Sequence, residues 1–145
     1  MYVYEEVIRE DGEIFDLWLK HENVKKWIRI DDWFQYFDFV KSQPNYYLIK
    51  FIFENKIIGV IGLEIVKETG NITIIVDPEE QNKGHGKRIL SLFLKKIKKI
   101  IKKKIKNVYS GVYTDNIASK RCCESCGFKL TGIDEDGFME YIYDL

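Results

Sequence analysis

Residues 72–101, ITIIVDPEEQNKGHGKRILSLFLKKIKKII, join a short apolar run to a long amphipathic one through a polar loop that holds two glycines. Ile72–Val76 has the length and β-branched content of a buried strand, and Asp77-Pro78 turns the chain out of it. Leu90, Phe93, Leu94, Ile97, Ile100 or Ile101, and Ile105 then recur at three- and four-residue spacing, the period of a helix with one buried face. The loop between them, Gln81-Asn82-Lys83-Gly84-His85-Gly86, constrains the chain most. Two glycines two apart let backbone N–H groups converge on one point without Cβ interference. The helix that opens there adds its unpaired first-turn N–H groups and its positive dipole end. That geometry suits a phosphate. It is not a P-loop, because no Gly-Lys-Ser/Thr follows, nor the three-glycine dinucleotide fingerprint.

A chain of 145 residues with 46% hydrophobic and 14% aromatic residues has material for one well-packed core, and a single domain over residues 1–145 is expected. The formal net charge is zero but unevenly spread. Residues 1–82 hold 16 acidic against 9 basic side chains, a net of −7, whereas residues 83–106 hold 11 basic and none acidic. The N-terminus lacks the cationic start and apolar run of a secretory signal. The uncharged apolar stretch 57–63 is too short to span a bilayer. Cys122, Cys123 and Cys126 are too close together to form a disulfide framework. The expectation is a reduced cytoplasmic protein with no membrane partner.

Tyr2–Arg9 alternates as a first strand, closed by Asp11-Gly12. Glu13–Asn23 reads as a helix with Ile14, Leu17, Trp18 and His21 along one side, and Asp31 as the N-cap of a second helix, Asp32–Ser42, stopped by Pro44. Tyr46–Glu54 and Lys56–Glu68 read as strands of a hairpin turning at Asn55-Lys56, and Thr69-Gly70-Asn71 turns the chain into the strand ending at Val76. After the long helix, Asn107–Tyr113 reads as a strand parallel to the previous one. Ile117–Cys126 is a short helix capped by Gly127, and Phe128–Asp134 with Phe138–Tyr143 closes the chain as a hairpin.

Gln81-x-x-Gly84-x-Gly86 after a strand ending Val76-Asp77-Pro78 resembles the Gln/Arg-x-x-Gly-x-Gly/Ala loop of the GNAT N-acetyltransferase superfamily. A second stretch, Asn116-x-x-Ser119 through Gly127-Phe128, resembles the family's Asn-x-x-Ala and Gly-Phe motif, so the likeness spans residues 72–128. The resemblance implies an α/β (α+β) GNAT fold with a mixed central sheet of about six to seven strands and about four helices. It also implies acetyl-CoA as co-substrate and direct transfer of acetyl to a primary amine in a ternary complex. Two alternatives stay open: acetylation of a protein N-terminus or lysine, and a non-catalytic CoA-sensing module.

By the same resemblance, the strand before the loop and the one after its helix splay apart, and pantetheine pairs with backbone groups of Ile74, Ile75 and Val76. Gln81 opens the loop, and the N–H groups of Asn82, Lys83, Gly84, His85, Gly86 and Lys87 would hold the pyrophosphate. An N–H near Val76 would polarise the thioester carbonyl. Asn116 would steady the pantetheine or cap the helix. Cys123 stands where many members have the tyrosine that protonates departing CoA, and Gly111 stands where the branch that acetylates ribosomal-protein N-termini has a glutamate. Glu64, which interrupts the apolar strand 57–66, is the candidate base in its stead. His85 reads as a spacer that contributes backbone in a slot facing the pyrophosphate.

No metal site is expected, because the Cys123–Cys126 CxxC lacks ligands from other segments. The lysines of residues 95–106 fall opposite the isoleucine face, as on a solvated helix, so nucleic acid is not the expected partner. The acceptor is expected to be a small-molecule amine or peptide amine, and the protein a monomer or homodimer.

Overall fold

The computed structural model describes residues 1–145. β1 (Tyr2–Glu6) leads into three helices, α1 (Gly12–Lys20), α2 (Glu22–Lys25) and α3 (Trp33–Ser42). A meander of β2 (Tyr46–Phe53), β3 (Lys56–Val66) and β4 (Thr69–Val76) follows. Then come α4 (His85–Ile100), β5 (Asn107–Tyr113), α5 (Ile117–Ser125), β6 (Lys129–Ile133) and β7 (Phe138–Asp144). All seven strands form one sheet in the order β1-β2-β3-β4-β5-β7-β6, antiparallel except for the β4–β5 pair. The mixed α/β sheet and the parallel crossover through the long helix agree with the sequence reading.

Each face of the sheet carries its own core. Ile89, Leu90, Phe93, Leu94 and Ile97 of α4 pack with Cys123 and Phe128 against one face, onto Ile61, Leu63, Val108 and Val112. Phe15, Trp18, Leu19, Trp33 and Phe37 of α1 and α3 pack on the other, with Leu48, Val60 and Ile75. A buried ion pair ties the second layer to the sheet: Lys50 Nζ donates to Asp11 Oδ2 at 2.8 Å, and the same carboxylate oxygen accepts from the Ile8 N–H at 2.9 Å. Removing either partner would strand a buried charge.

Several local boundaries differ from the sequence reading. In α1 the buried side is Phe15, Trp18 and Leu19, while Leu17 is 67% exposed and Ile14 40% exposed. The rings decide the helix rotation, since Phe15 packs on both Trp18 (5.0 Å) and Trp33 (4.7 Å). His21 breaks the expected single helix: its backbone is extended and its Nδ1 accepts from the Asn23 N–H at 3.1 Å, capping α2. Asp32, not Asp31, caps α3 through the Gln35 N–H at 3.1 Å.

Both meander turns fall earlier than expected, at Glu54-Asn55 and Lys67-Glu68, whose four residues all have positive φ. Gly70 lies inside β4, because Leu63 and Ile105 approach so near that a Cβ would stand 2.7 Å from each. Ile101 and Ile105 are buried beyond the end of α4 rather than on it.

Gly59 sets how near α4 lies to the sheet. A Cβ there would stand 2.6 Å from Ile89 Cδ1, and Ile89 is fully enclosed. Gly59→Ala is therefore expected to destabilise the protein by about 1–3 kcal/mol. In chemical denaturation, Ile89→Val, which removes that Cδ1, should recover part of the loss when combined with it. Strictly additive effects would show that the two sites do not meet.

Candidate active site

The parallel pair β4–β5 holds only at its start, Thr69–Asn71 against Asn107–Tyr109. Beyond that, β4 continues to Val76 paired with β3 alone, and β5 continues to Tyr113 paired with β7 alone. The two strands thus diverge, and the β4 backbone groups that face β5 from Ile72 onward have no strand partner. Backbone donors and acceptors left without partners need water or a ligand. The opening suits an extended chain that pairs as a strand would.

At the wide end, β4 runs into the glycine loop. Asp77 is buried and its Oδ1 accepts from the Glu79 N–H at 3.0 Å, while its own N–H donates to the Ile58 carbonyl at 2.9 Å. That bond continues the β3–β4 ladder by one pair, beside a shift in the β2–β3 register that sets Phe51 opposite Gly59 and Ile52 opposite Ile57. The Gln81 side-chain amide donates to the Val76 carbonyl at 3.2 Å, folding the loop back on the strand end. Asn82 (φ 64°) and Gly84 (φ 84°) are left-handed, and Gly84 is the N-cap of α4 with no side chain capping the helix. The first-turn N–H groups of a 16-residue helix are thus left open at the mouth of the cleft.

The two glycines differ in what they need. Gly84 requires its left-handed backbone, whereas a Cβ on Gly86 would meet Val76 Cγ2 at 3.6 Å and Cys122 Sγ at 3.8 Å, both ordinary contacts. Alanine would also favour the helix there by about 0.5–1 kcal/mol. Nothing in the fold demands glycine at residue 86.

The loop's side chains do not all point where the sequence suggested. The His85 side chain turns into the protein: it is 7% exposed, its Nδ1 and the Tyr2 hydroxyl share a hydrogen bond of 2.6 Å, and its ring lies edge-on to Phe53. It anchors the helix start on β1 and β2, with its Nε2 3.8 Å from Glu80 Oε2. Lys83 donates to Glu80 Oε2 at 2.8 Å, which with Lys56 holds the Glu80 carboxyl below its usual range. Lys87 and Arg88 make no ion pair, and the Arg88 guanidinium lies against Gly84, 3.8 Å from where a Cβ would stand. Arg88 was not singled out in the sequence, although its place one turn into α4 was visible there.

At the narrow end, where β4 and β5 part, a cavity of about 340 Å³ opens on the opposite face of the sheet. Its floor is Glu64 of β3 with Asn71 and Thr73 of β4; its walls are Tyr36, Tyr46 and Tyr109, and residues 27–30 close over it. Strand alternation explains the set, since Ile72, Ile74 and Val76 pack toward α4 while Asn71 and Thr73 face the other way. Glu64 is the only carboxylate in this lining. Burial, with the Tyr46 and Glu64 charges adding, pushes the Tyr36 hydroxyl up to about 12. Burial likewise raises Tyr46, helped by its hydrogen bond to Glu64, and Tyr109 goes to about 12 from burial and from Asp134. A Cβ on Gly111 would stand 3.1 Å from the Tyr109 hydroxyl, so Tyr109 fills the space beside the position that lacks a glutamate. Of these lining groups the sequence singles out Glu64 and Gly111, and Trp27 and Tyr36 among the aromatics of residues 18–39, a region whose rings the family resemblance places at an acceptor pocket. The tyrosines are scattered over three elements, and only the fold brings them together.

The second motif takes its expected place. Asn116 Oδ1 accepts from the Ser119 N–H at 3.2 Å and caps α5, and Gly127 (φ 94°) ends it. Cys123 is 2% exposed in the core between α5 and β5, where burial pushes its thiol up to about 11 against a partial offset from Ser110. Cys126 Sγ donates to the Lys87 carbonyl at 3.4 Å. No three His, Cys, Asp or Glu side chains stand together in a way that could hold a metal ion, and no helix is long and apolar enough to cross a membrane. Of the basic run, Lys103 is tied to Asn45, and Lys104 and Lys106 to Glu68.

Comparison with known proteins bears on this cleft. No curated protein matches the sequence. Solved structures of the same fold include an aminoglycoside acetyltransferase, AAC(6')-Ib, in complex with coenzyme A. It is 14% identical with a TM-score of 0.86, over 99% of this chain and 95% of that one. A domain from Methanocaldococcus jannaschii DSM 2661 is 21% identical with a TM-score of 0.82, over 100% and 99%. Spermidine N-acetyltransferase from Vibrio cholerae, in complex with CoA and spermine, is 15% identical with a TM-score of 0.83, over 99% and 95%. The family model described as Acetyltransferase (GNAT) family matches residues 9–128, from the end of β1 through Phe128. The chain belongs to the acetyltransferase (GNAT) family, acyltransferases that draw their acetyl group from acetyl-CoA.

Proposed function

We propose that this protein moves the acetyl group of acetyl-CoA directly onto a small primary amine, with both substrates bound and no acetylated enzyme in between. The observation that carries this reading is the continuity of the cleft, from the uncapped start of α4, along the unpaired edge of β4, to the cavity over Glu64. The pyrophosphate sits on the N–H groups of Asn82 through Lys87, with the Lys87 and Arg88 charges alongside. Gly86 stays bare so that the ligand, not a methyl group, lies against the helix start. Pantetheine pairs with β4 along Ile74, Ile75 and Val76, and Asn116 lies across from it at the start of α5.

Residue spacing sets where the thioester falls. Val76 stands at the loop end, about 13 Å along β4 from Ile72 at roughly 3.3 Å per residue. The acceptor cavity opens at residues 71–73, so the amide that polarises the carbonyl lies nearer Thr73 than Val76. An attacking amine must be neutral. Tyr36 and Tyr109, with pKa near 12, remain protonated at neutral pH and act as hydrogen-bond donors, not bases. Glu64 accepts the proton, directly or through one water. CoA departs as a thiolate: the Cys123 thiol, buried and near 11, is less acidic than an ordinary alkyl thiol at about 8.5. A cavity of about 340 Å³, near the lower end of the roughly 300–1,000 Å³ of small-molecule sites, favours a compact acceptor.

Free-thiol release from acetyl-CoA across a panel of amines and short peptides tests the activity, and silence across the panel would contradict it. Glu64→Gln should lower kcat/KM for the acceptor by about 10²–10⁴ with the KM for acetyl-CoA unchanged; an unaltered rate at every amine concentration removes Glu64 from the mechanism. Gly86→Ala should raise the KM for acetyl-CoA about tenfold or more while leaving the thermal midpoint equal or higher. A variant that loses stability and keeps its affinity would mean that this glycine serves the fold.

A further inference from the structure

The acceptor cavity carries two charges of opposite sign, and neither is in an ion pair. Glu64 lies in the floor, and Arg29 lies in the roof, on the stretch between α2 and α3. None of the chain's ion pairs includes either residue. The Arg29 guanidinium rests instead on the hydroxyl of Tyr113, at the far end of β5. Trp27 packs on the same Tyr113 ring at 5.6 Å, which holds this stretch against β5 beside the cavity whose lining includes both Arg29 and Glu64. Lys26, over the Trp27 ring at 5.2 Å, adds a second positive charge on the roof side. The excess of acidic residues over the first half of the chain therefore does not describe this cavity, whose lining holds one carboxylate and one guanidinium.

We infer that the acceptor is a compact amine that also bears an anionic group, a carboxylate or a phosphate, and that Arg29 is the residue that selects for it. Two opposite charges in one lining, neither in an ion pair, match a ligand that carries both, amine toward Glu64 and anion toward Arg29. A polycation would find a single carboxylate and meet Arg29 and Lys26 as repulsion. Arg29 is exposed, and a guanidinium carries five N–H donors, enough for two-point contact with either anion beside its bond to the Tyr113 hydroxyl. The inference rests on the acetyl-transfer reading of this cleft and narrows its acceptor.

Matched acceptors with and without the anion test it: β-alanine against its amide, phosphoethanolamine against ethanolamine, and spermidine as a polycation. The anionic member of at least one pair should have the higher kcat/KM by about tenfold or more, and which pair responds separates carboxylate from phosphate. Arg29→Gln should bring that ratio close to one through the KM of the anionic member, and Arg29→Lys should restore part of it. A ratio is insensitive to general loss of folded enzyme. Faster turnover of the neutral members or of spermidine, or a ratio that Arg29→Gln leaves intact, overturns the inference and leaves acetyl transfer standing. No acetylation of any member, with acetyl-CoA binding demonstrated, overturns both.

Discussion

Everything at the candidate site depends on one unmade set of hydrogen bonds. β4 and β5 begin as neighbours and part after three residue pairs, so a strand in the middle of a seven-stranded sheet keeps an open edge. An open edge inside a sheet is costly unless something pairs with it. The fold holds it open from both sides. β3 fixes β4 to its last residue, β7 fixes β5 to its last residue, and α4 spans the two from below. Gly59 and Gly70 let that layer approach without prising the strands further apart. The cleft is thus a product of packing on both flanks and is built before any ligand arrives.

The same divergence organises charge. The positive end of α4 with Lys87 and Arg88 lies at one end of the opening, and the cavity with one carboxylate lies at the other. Burial pushes Tyr36 and Tyr109 up to about 12, so both stay protonated at neutral pH around the one carboxylate of the lining.

The loop was legible in the sequence because its requirements are backbone requirements. A left-handed Gly84, a bare Gly86 and a helix long enough to carry a dipole all leave marks on residue type and spacing. The parallel crossover was legible for the same reason, and β5 fell at the expected bounds. Acceptor-side features left no such mark. Tyr36, Tyr46, Tyr109 and Arg29 come from separate elements and have no common period, so only the assembled sheet shows that they share a cavity. The sequence reads His85 as a spacer and carries no sign of where its ring goes; the ring finds Tyr2 and Phe53, more than thirty residues away in sequence. The rotation of α1 was misjudged because an apolar count cannot rank Ile14 and Leu17 below Phe15 and Leu19, and aromatic packing can.

Amide hydrogen exchange with and without coenzyme A tests the open edge most directly. Addition of CoA should slow exchange in two separate segments, the β4 amides within 72–76 that point away from β3 and the loop amides within 82–88. Pantetheine, which lacks the diphosphate, should slow only the first. Unchanged exchange in both segments at saturating CoA, or protection confined to some other surface, would contradict the claim that this cleft is a strand-shaped site for the acetyl donor.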